Sequence, residues 1–492
     1  MSTVLDRPAR SPREGGPPDG AGGDWGIEPV PPERRTLSAF DLAILWADLG
    51  VGLLVLVTGA LLVPGLGFGA AAAAIVLGSV IGVALLALAG AAGAEHGVTS
   101  MVLFRPVLGI RGSWIPSALN ALQLVGWTAV ELWAMSFVAD LVSQRVFGWS
   151  SRPLWLAAAT IVCTGLALWG PLGVTRVWMK RFAAWVVSAI CVLVTIAVLA
   201  DDRVREALTL PGTGGWPTFG LALDLVIAMP VSWLPLVADY TRFGKGPRAA
   251  FGGTFCGYLI ANVWLYLLGA LLVLGGGAEP SPEGIATGVL AVAGGSVAGV
   301  LFLAGLLAGE TDEAFADVYS GALSLRNIFP RLPRSVATVA ISAVACALAA
   351  WLTMERYESF LFLLGSVFVP LFGILVADHF VSRRRRLDVD DLYRERGRYW
   401  YSGGVRIAAL VPWVAGLVVY HWIAPTGPGW WLAWTDSLLG TPLSARWPWI
   451  SASVVSFAVA FLAALALRAP TIIGGATGRR GADEDRSDVR HM

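Results

Sequence analysis

Apolar residues along this chain arrive in runs of about twenty or more, separated by short stretches rich in Gly, Pro and Arg. The runs lie near residues 39–63, 68–93, 113–143, 153–172, 178–200, 218–241, 251–275, 288–324, 334–353, 357–380, 404–424 and 446–467. Each is long enough to cross the hydrocarbon core of a bilayer as a helix, so the pattern predicts twelve transmembrane helices. The 288–324 run is too long for one simple span. Residues 1–36 are rich in Pro, Gly and charge, which predicts a disordered tail rather than a signal peptide, and residues 468–492 form a second polar tail.

Polar positions inside the apolar runs carry the functional signal. In Leu306–Leu325 (LLAGETDEAFADVYSGALSL), Glu310, Glu313 and Asp317 fall at i, i+3 and i+7, one stripe of a helix, while Thr311 and Asp312 point elsewhere. Carboxylates in hydrocarbon are costly and normally face a bundle interior or a watery cavity. A span ending near Ala308 would make them a solvated helix end, but VYSGALSL is apolar again before the basic 326–334 segment. Two further spans are interrupted. AILWADLGVGLLVLVTG carries Asp48, Gly50 and Gly52, and LVIAMPVSWLPLVADY carries Pro230 and Pro235. Proline removes a backbone donor, and paired glycines loosen a helix. These are the first helices of two five-helix units, 37–200 and 218–380, and an odd helix number inverts the second. Broken helices at matching positions of inverted repeats point to a transporter's central site.

Composition agrees: 56% of residues are hydrophobic and 14% charged, against about a quarter charged in a soluble domain. The chain reads as an integral membrane protein. With the N-terminus inside, the inner loops collect most of the arginines, including Arg105, Arg111, Arg242 and Arg383–Arg386, which predicts cytoplasmic N- and C-termini in a plasma (inner) membrane. Net charge is +1 and no basic patch with interleaved aromatics appears, so no nucleic-acid partner is expected. The four cysteines sit singly in apolar segments and the four histidines, His96, His379, His421 and His491, are scattered. No cofactor and no metal beyond a coupling Na⁺ is expected.

Five stretches carry a family resemblance: Ala43–Pro64, Gly109–Trp133 (GIRGSWIPSALNALQLVGWTAVELW), Ser232–Gly244 (SWLPLVADYTRFG), Leu306–Leu325 and Val376–Tyr401. In this order and in these helices they resemble the nucleobase–cation symporter family, and look most similar to its hydroxymethylpyrimidine and cytosine permeases. The resemblance implies an all-α, LeuT-like fold of two inverted five-helix repeats, with two additional helices in 404–467. It also implies a substrate held between broken helices one and six, against helices three and eight. Trp127 matches the family's stacking aromatic and Glu131 its ring-edge amide; both would otherwise read as core positions. Gln123, one turn earlier, is a second polar contact or a helix–helix hydrogen bond. The second aromatic aligns with Pro230 without a gap, while Trp233 lies three residues on; Gly50 sits at the break of helix one. Asp317 stands where the family often has Asn. The sodium positions map onto Asp48, Val51, Ala308, Thr311 and Asp312, with Asp312 replacing an expected hydroxyl. Two acids there bind a cation more strongly, or titrate and couple to protons.

These readings converge on a cation-coupled (H⁺ or Na⁺) importer of a nucleobase-like heterocycle, working by alternating access and functional as a monomer. Two carboxylates at the ring-edge positions suit a ring presenting N–H donors, such as an aminopyrimidine. Purine, allantoin and hydantoin-type rings are the alternatives; a dicarbonyl ring requires one acid to be protonated. A membrane-embedded enzyme would need a nucleophile–base pair, and none accompanies the acids. A channel or non-transporting sensor fits broken helices in inverted halves less well than a carrier.

Overall fold

The computed structural model describes residues 26–169, 184–292 and 297–467, and the elements among them are helices, with two isolated backbone bridges. The first span is α1 (Ala39–Asp48) and α2 (Leu53–Ala60), bent by 64° at the break. Then follow α3 (Phe68–His96), α4 (Trp114–Phe147), α5 (Arg152–Trp169) and α6 (Ala184–Ala200). The second unit opens with another broken pair, α7 (Phe219–Ser232) and α8 (Val237–Thr241), followed by α9 (Pro247–Gly276). It continues with α10 (Pro282–Val292), α11 (Val297–Ile328), α12 (Arg334–Ala349) and α13 (Met354–Val376). Two further helices, α14 (Leu410–Ile423) and α15 (Ala452–Ala466), complete the chain. α3, α4, α5, α9 and α13 are each long and apolar enough to cross a membrane alone, and α1–α2 make a sixth span together. Large apolar side chains such as Leu122, Ile161, Ile260 and Val297 are exposed, as a lipid-facing belt requires.

Three features differ from the sequence expectation. In the long 288–324 run the described residues are helical in two stretches, α10 to Val292 and α11 from Val297. Residues 429–439, between the last two spans, form a separate short helix with Trp430 and Trp434 exposed. Of the expected disordered tail, residues 26–36 are packed: Val30 is fully buried, its N–H bonds Gly97 O at 2.7 Å, and Arg242 Nη1 donates to Gly26 O at 2.8 Å. Residues 1–25 and 468–492, and Arg176, Lys180 and Arg181 of the expected inner loops, lie outside the described residues.

Two helix groups emerge from the packing. α1–α2, α3, α7–α8 and α9 pack on one another, and α4, α5, α11 and α12 form the second group. The first group closes tightly because α9 presents glycines to the broken helix. A Cβ on Gly257 would collide with Ala43 O and one on Gly269 with Leu56 O, the close backbone approach that small residues permit in membranes. The arginine-bearing loops converge on one face. Arg105 Nη1 donates to Leu392 O at 2.8 Å and its Nη2 to Asn327 Oδ1 at 2.7 Å, and Arg383 Nη2 donates to Pro106 O at 2.8 Å.

Candidate functional site

The break in the first span is built around a borrowed cap. Ser38 and Asp41 start α1 with a reciprocal capping box, but α2 starts at Gly52, which has no side chain to accept from the first free N–H groups. Glu310 of α11 supplies that acceptor: its Oε1 takes the Leu53 N–H. A carboxylate there also meets the positive end of the helix dipole. The same device recurs at Asp224 of α7, which accepts from Ser451 Oγ at 2.6 Å and from the Ala452 and Ser453 N–H groups at 2.9 Å, capping α15.

Around this cap the two helix groups bring six acids together. Asp48, Glu131, Glu310, Asp312, Glu313 and Asp317 are each 1–5% exposed. The carboxyl of Glu131 interacts with that of Asp317, and the carboxyl of Asp48 with that of Asp312. Glu313 is within electrostatic reach of Asp48, Asp312, Asp317 and Glu131, and its Oε1 has no hydrogen-bond partner. Among the described residues, Asp48, Glu131, Glu310, Glu313 and Asp317 form no ion pair with a lysine or arginine. Buried like charges at this range demand a counter-charge: a shared proton, a metal cation or a charged ligand.

The positions expected to hold a cation are adjacent. Val51 O points at α11, 2.8 Å from where a Cβ on Gly309 would stand. Ala308 and Thr311 are half-buried on that helix, and Thr311 Oγ1 donates to Leu307 O at 2.8 Å, which leaves its lone pairs free to accept.

The expected substrate positions divide. Trp127 is buried on α4 one turn before Glu131, with its Nε1 unbonded and its ring edge-on to Tyr357 and Phe360 of α13 (centroids 6.2 and 5.4 Å). Trp233, in the break between α7 and α8, packs edge-on to Trp46 at 6.0 Å, and among the described residues no ring contact joins it to Trp127. Pro230 turns away: its ring lies against Gly82 of α3, 2.5 Å from where a Cβ would be. Gly50 also faces elsewhere, toward Ala261 and Tyr258 of α9, whereas Gly52 faces the acids. Gln123 is engaged as a helix–helix contact. Its Nε2 donates to Ser232 O (3.0 Å) and Asn120 Oδ1 (2.8 Å), while Asn120 Nδ2 donates to Pro235 O (3.3 Å). These amides satisfy carbonyls that the break in α7–α8 frees.

Gly52, Glu310, Glu313 and Asn120 therefore join the site although they were not among its expected contacts. The glutamates were visible in the acidic stripe; the roles of Gly52 and Asn120 depend on which element crosses them.

Comparison with known proteins agrees with this architecture. The hydantoin permease of Microbacterium maritypicum is 29% identical over 405 residues, covering 78% of this chain and 81% of that protein. The cytosine permease of Escherichia coli (strain K12) is 26% identical over 406 residues, covering 79% and 85%. Among solved structures, the nucleobase-cation-symport-1 family transporter Mhp1, in a closed conformation with bromovinylhydantoin bound, superposes with a TM-score of 0.76 at 24% identity, covering 92% of this chain and 96% of that one. The fold is thus an all-helical, LeuT-like membrane-transporter architecture. The family model for permeases for cytosine/purines, uracil, thiamine and allantoin matches residues 29–441, and the chain belongs to that family.

Proposed function

We propose that this permease imports an aminopyrimidine, of the hydroxymethylpyrimidine or cytosine type, together with H⁺ or Na⁺. The observation that carries the reading is the Glu131–Asp317 carboxyl pair beside Trp127. A flat heterocycle stacks on the indole while its ring-edge N–H groups donate to the acids, and hydrogen bonds of this kind select strongly among rings of equal size. The Asp48–Asp312 pair beside the Val51 carbonyl takes the coupling cation, a proton shared between the acids or a sodium ion held by them. Alternating access follows from movement of α1–α2, α3, α7–α8 and α9 against α4, α5, α11 and α12. The protein acts as a monomeric carrier rather than an enzyme, in the plasma membrane, with the arginine-rich face and both termini in the cytoplasm.

A hydantoin-type ring is the second reading. It is favoured by the hydantoin permease relative and by the bromovinylhydantoin bound to Mhp1, and it requires one member of the acid pair to donate a proton to a ring carbonyl.

Uptake of labelled hydroxymethylpyrimidine, cytosine and hydantoin into proteoliposomes, under an imposed proton or sodium gradient, separates these readings. Gradient-driven uptake of either pyrimidine supports the first. Uptake of hydantoin alone establishes the second and removes the aminopyrimidine assignment.

A further inference from the structure

The histidines are scattered in sequence, but the fold gathers two of them. His96 is the last residue of α3, and His379 lies in the π-helical turn Ala377–Ser382 that continues α13. Their rings meet edge to face, 5.3 Å between centroids. Glu95 completes a group in which one ligand atom from each residue lies within 4.8 Å of the others. His379 Nε2 is 3.3 Å from Glu95 Oε2, and His96 Nε2 is buried with no hydrogen-bond partner.

We propose that Glu95, His96 and His379 form a binding site for a zinc-class divalent cation that ties the end of α3 to the end of α13. Two imidazoles and a carboxylate are a donor set of known zinc sites, with the fourth position left to water. Ligand atoms bound to one tetrahedral zinc ion lie about 3.4 Å apart, so Glu95 and His379, at 3.3 Å, already stand at that spacing, and His96, within 4.8 Å of them, closes by at most about 1.4 Å. Imidazole donors favour zinc, nickel and copper over magnesium or calcium. The backbone under two of the ligands is fixed, because Arg35 donates to the carbonyls of Glu95 (3.3 Å) and His96 (3.1 Å). The opposing charges are Arg35, held on those carbonyls, and Arg385, whose Nε donates to Glu95 Oε2 at 2.9 Å. Its side chain is 45% exposed, so it can swing into solvent when a metal takes that oxygen, and the Glu95 side chain, 23% exposed, opens the site to the arginine-rich face. This site is separate from the acid cluster and does not depend on the substrate assignment.

The test is equilibrium dialysis of the tag-free, full-length protein in detergent against Zn²⁺. One Zn²⁺ per chain is expected, with affinity falling by about 100-fold or more in His96→Ala and in His379→Ala, since even outer-shell changes at metal sites cost 10–100-fold. Arg385→Ala removes no ligand and is expected to tighten binding several-fold, which distinguishes a local effect from misfolding. A wild-type protein that retains no Zn²⁺, or a His96→Ala/His379→Ala double variant that retains it undiminished, overturns the site.

Discussion

Glu310 offers the sharpest test of how the broken first span is held. Its carboxylate caps α2 across the helix interface, accepting from Leu53 N–H with Leu54 N–H beside it, at a helix start where Gly52 provides no cap. A hydrogen bond to a charged group contributes roughly 1.5–3 kcal/mol and a neutral one about 1 kcal/mol. Glu310→Gln keeps an oxygen acceptor and loses the charge, so it is expected to cost about 1 kcal/mol. Glu310→Ala leaves buried N–H groups unpaired, each at about 1–3 kcal/mol, for a total of about 3 kcal/mol or more. If the uncapped form cannot bind substrate, these losses appear in the apparent affinity, as up to roughly 5-fold for Gln and up to roughly 150-fold for Ala. Equilibrium binding of labelled substrate to the purified variants measures both. Equal damage from Gln and Ala would show that Glu310 acts through its charge or its proton rather than as a cap. Unchanged affinity in the alanine variant would refute the cap altogether.

Three other substitutions probe the same centre. Trp127→Ala is expected to abolish substrate binding while Trp127→Phe, which keeps an aromatic face, retains measurable affinity; intrinsic binding assays on the pair would expose a merely structural indole if both bind normally. Gly52→Ala places a Cβ 2.6 Å from Glu313 Oε1 and 2.7 Å from Glu310 Oε1, so transport is expected to collapse, whereas Gly50→Ala meets Ala261 Cβ at 3.1 Å, Trp46 O at 3.3 Å and a Tyr258 ring carbon at 3.4 Å and is expected to be milder; reversal of that order in an uptake assay would misplace the break. Asp312→Asn is expected to change the ion dependence of uptake before it changes substrate affinity, and an unaltered ion profile would remove Asp312 from the coupling site.

How much of this was legible in the sequence depends on the range of each signal. The acidic stripe of α11 was readable because helical spacing alone puts Glu310, Glu313 and Asp317 on one face. The two breaks were readable because Gly and Pro act on their own backbone. Gln123 was ambiguous for the opposite reason. Its partner is the Ser232 carbonyl, freed by a break 109 residues away, and no local pattern announces it. Pro230 followed from counting along an aligned helix, yet the break redirects its ring toward Gly82. The 26–36 segment looked like a tail because Pro and charge dominate GIEPVPPERRT, although buried Val30 and bonds to distant residues, among them Val30 N–H to Gly97 O, Tyr393 Oη to Ile27 O and Arg35 to the Glu95 and His96 carbonyls, dock it. His96 and His379 lie in separate helices of opposite repeats, so only the fold relates them.

The charge balance of the centre leads to a final prediction. Glu310 is offset by a helix start, which leaves two carboxyl pairs, Asp48–Asp312 and Glu131–Asp317, and Glu313 within electrostatic reach of both. A cation entering the Asp48–Asp312 pair relieves repulsion on Glu313 and thereby favours the ionised form of the Glu131–Asp317 pair, the form that accepts from the ring N–H groups of a neutral substrate. Coupling free energies between sites are typically about 1–3 kcal/mol. Coupling of this kind is reciprocal: the cation raises substrate affinity by the same factor as the substrate raises cation affinity. Glu313→Gln removes the charge and keeps the shape, so substrate affinity in this variant is expected to lose most of its dependence on the driving ion, while binding at saturating ion changes little. Titrating substrate affinity against ion concentration in wild type and variant measures the effect directly. If both proteins show the same ion dependence, the two pairs communicate by another route, and the helix movement rather than the Glu313 carboxylate carries the coupling.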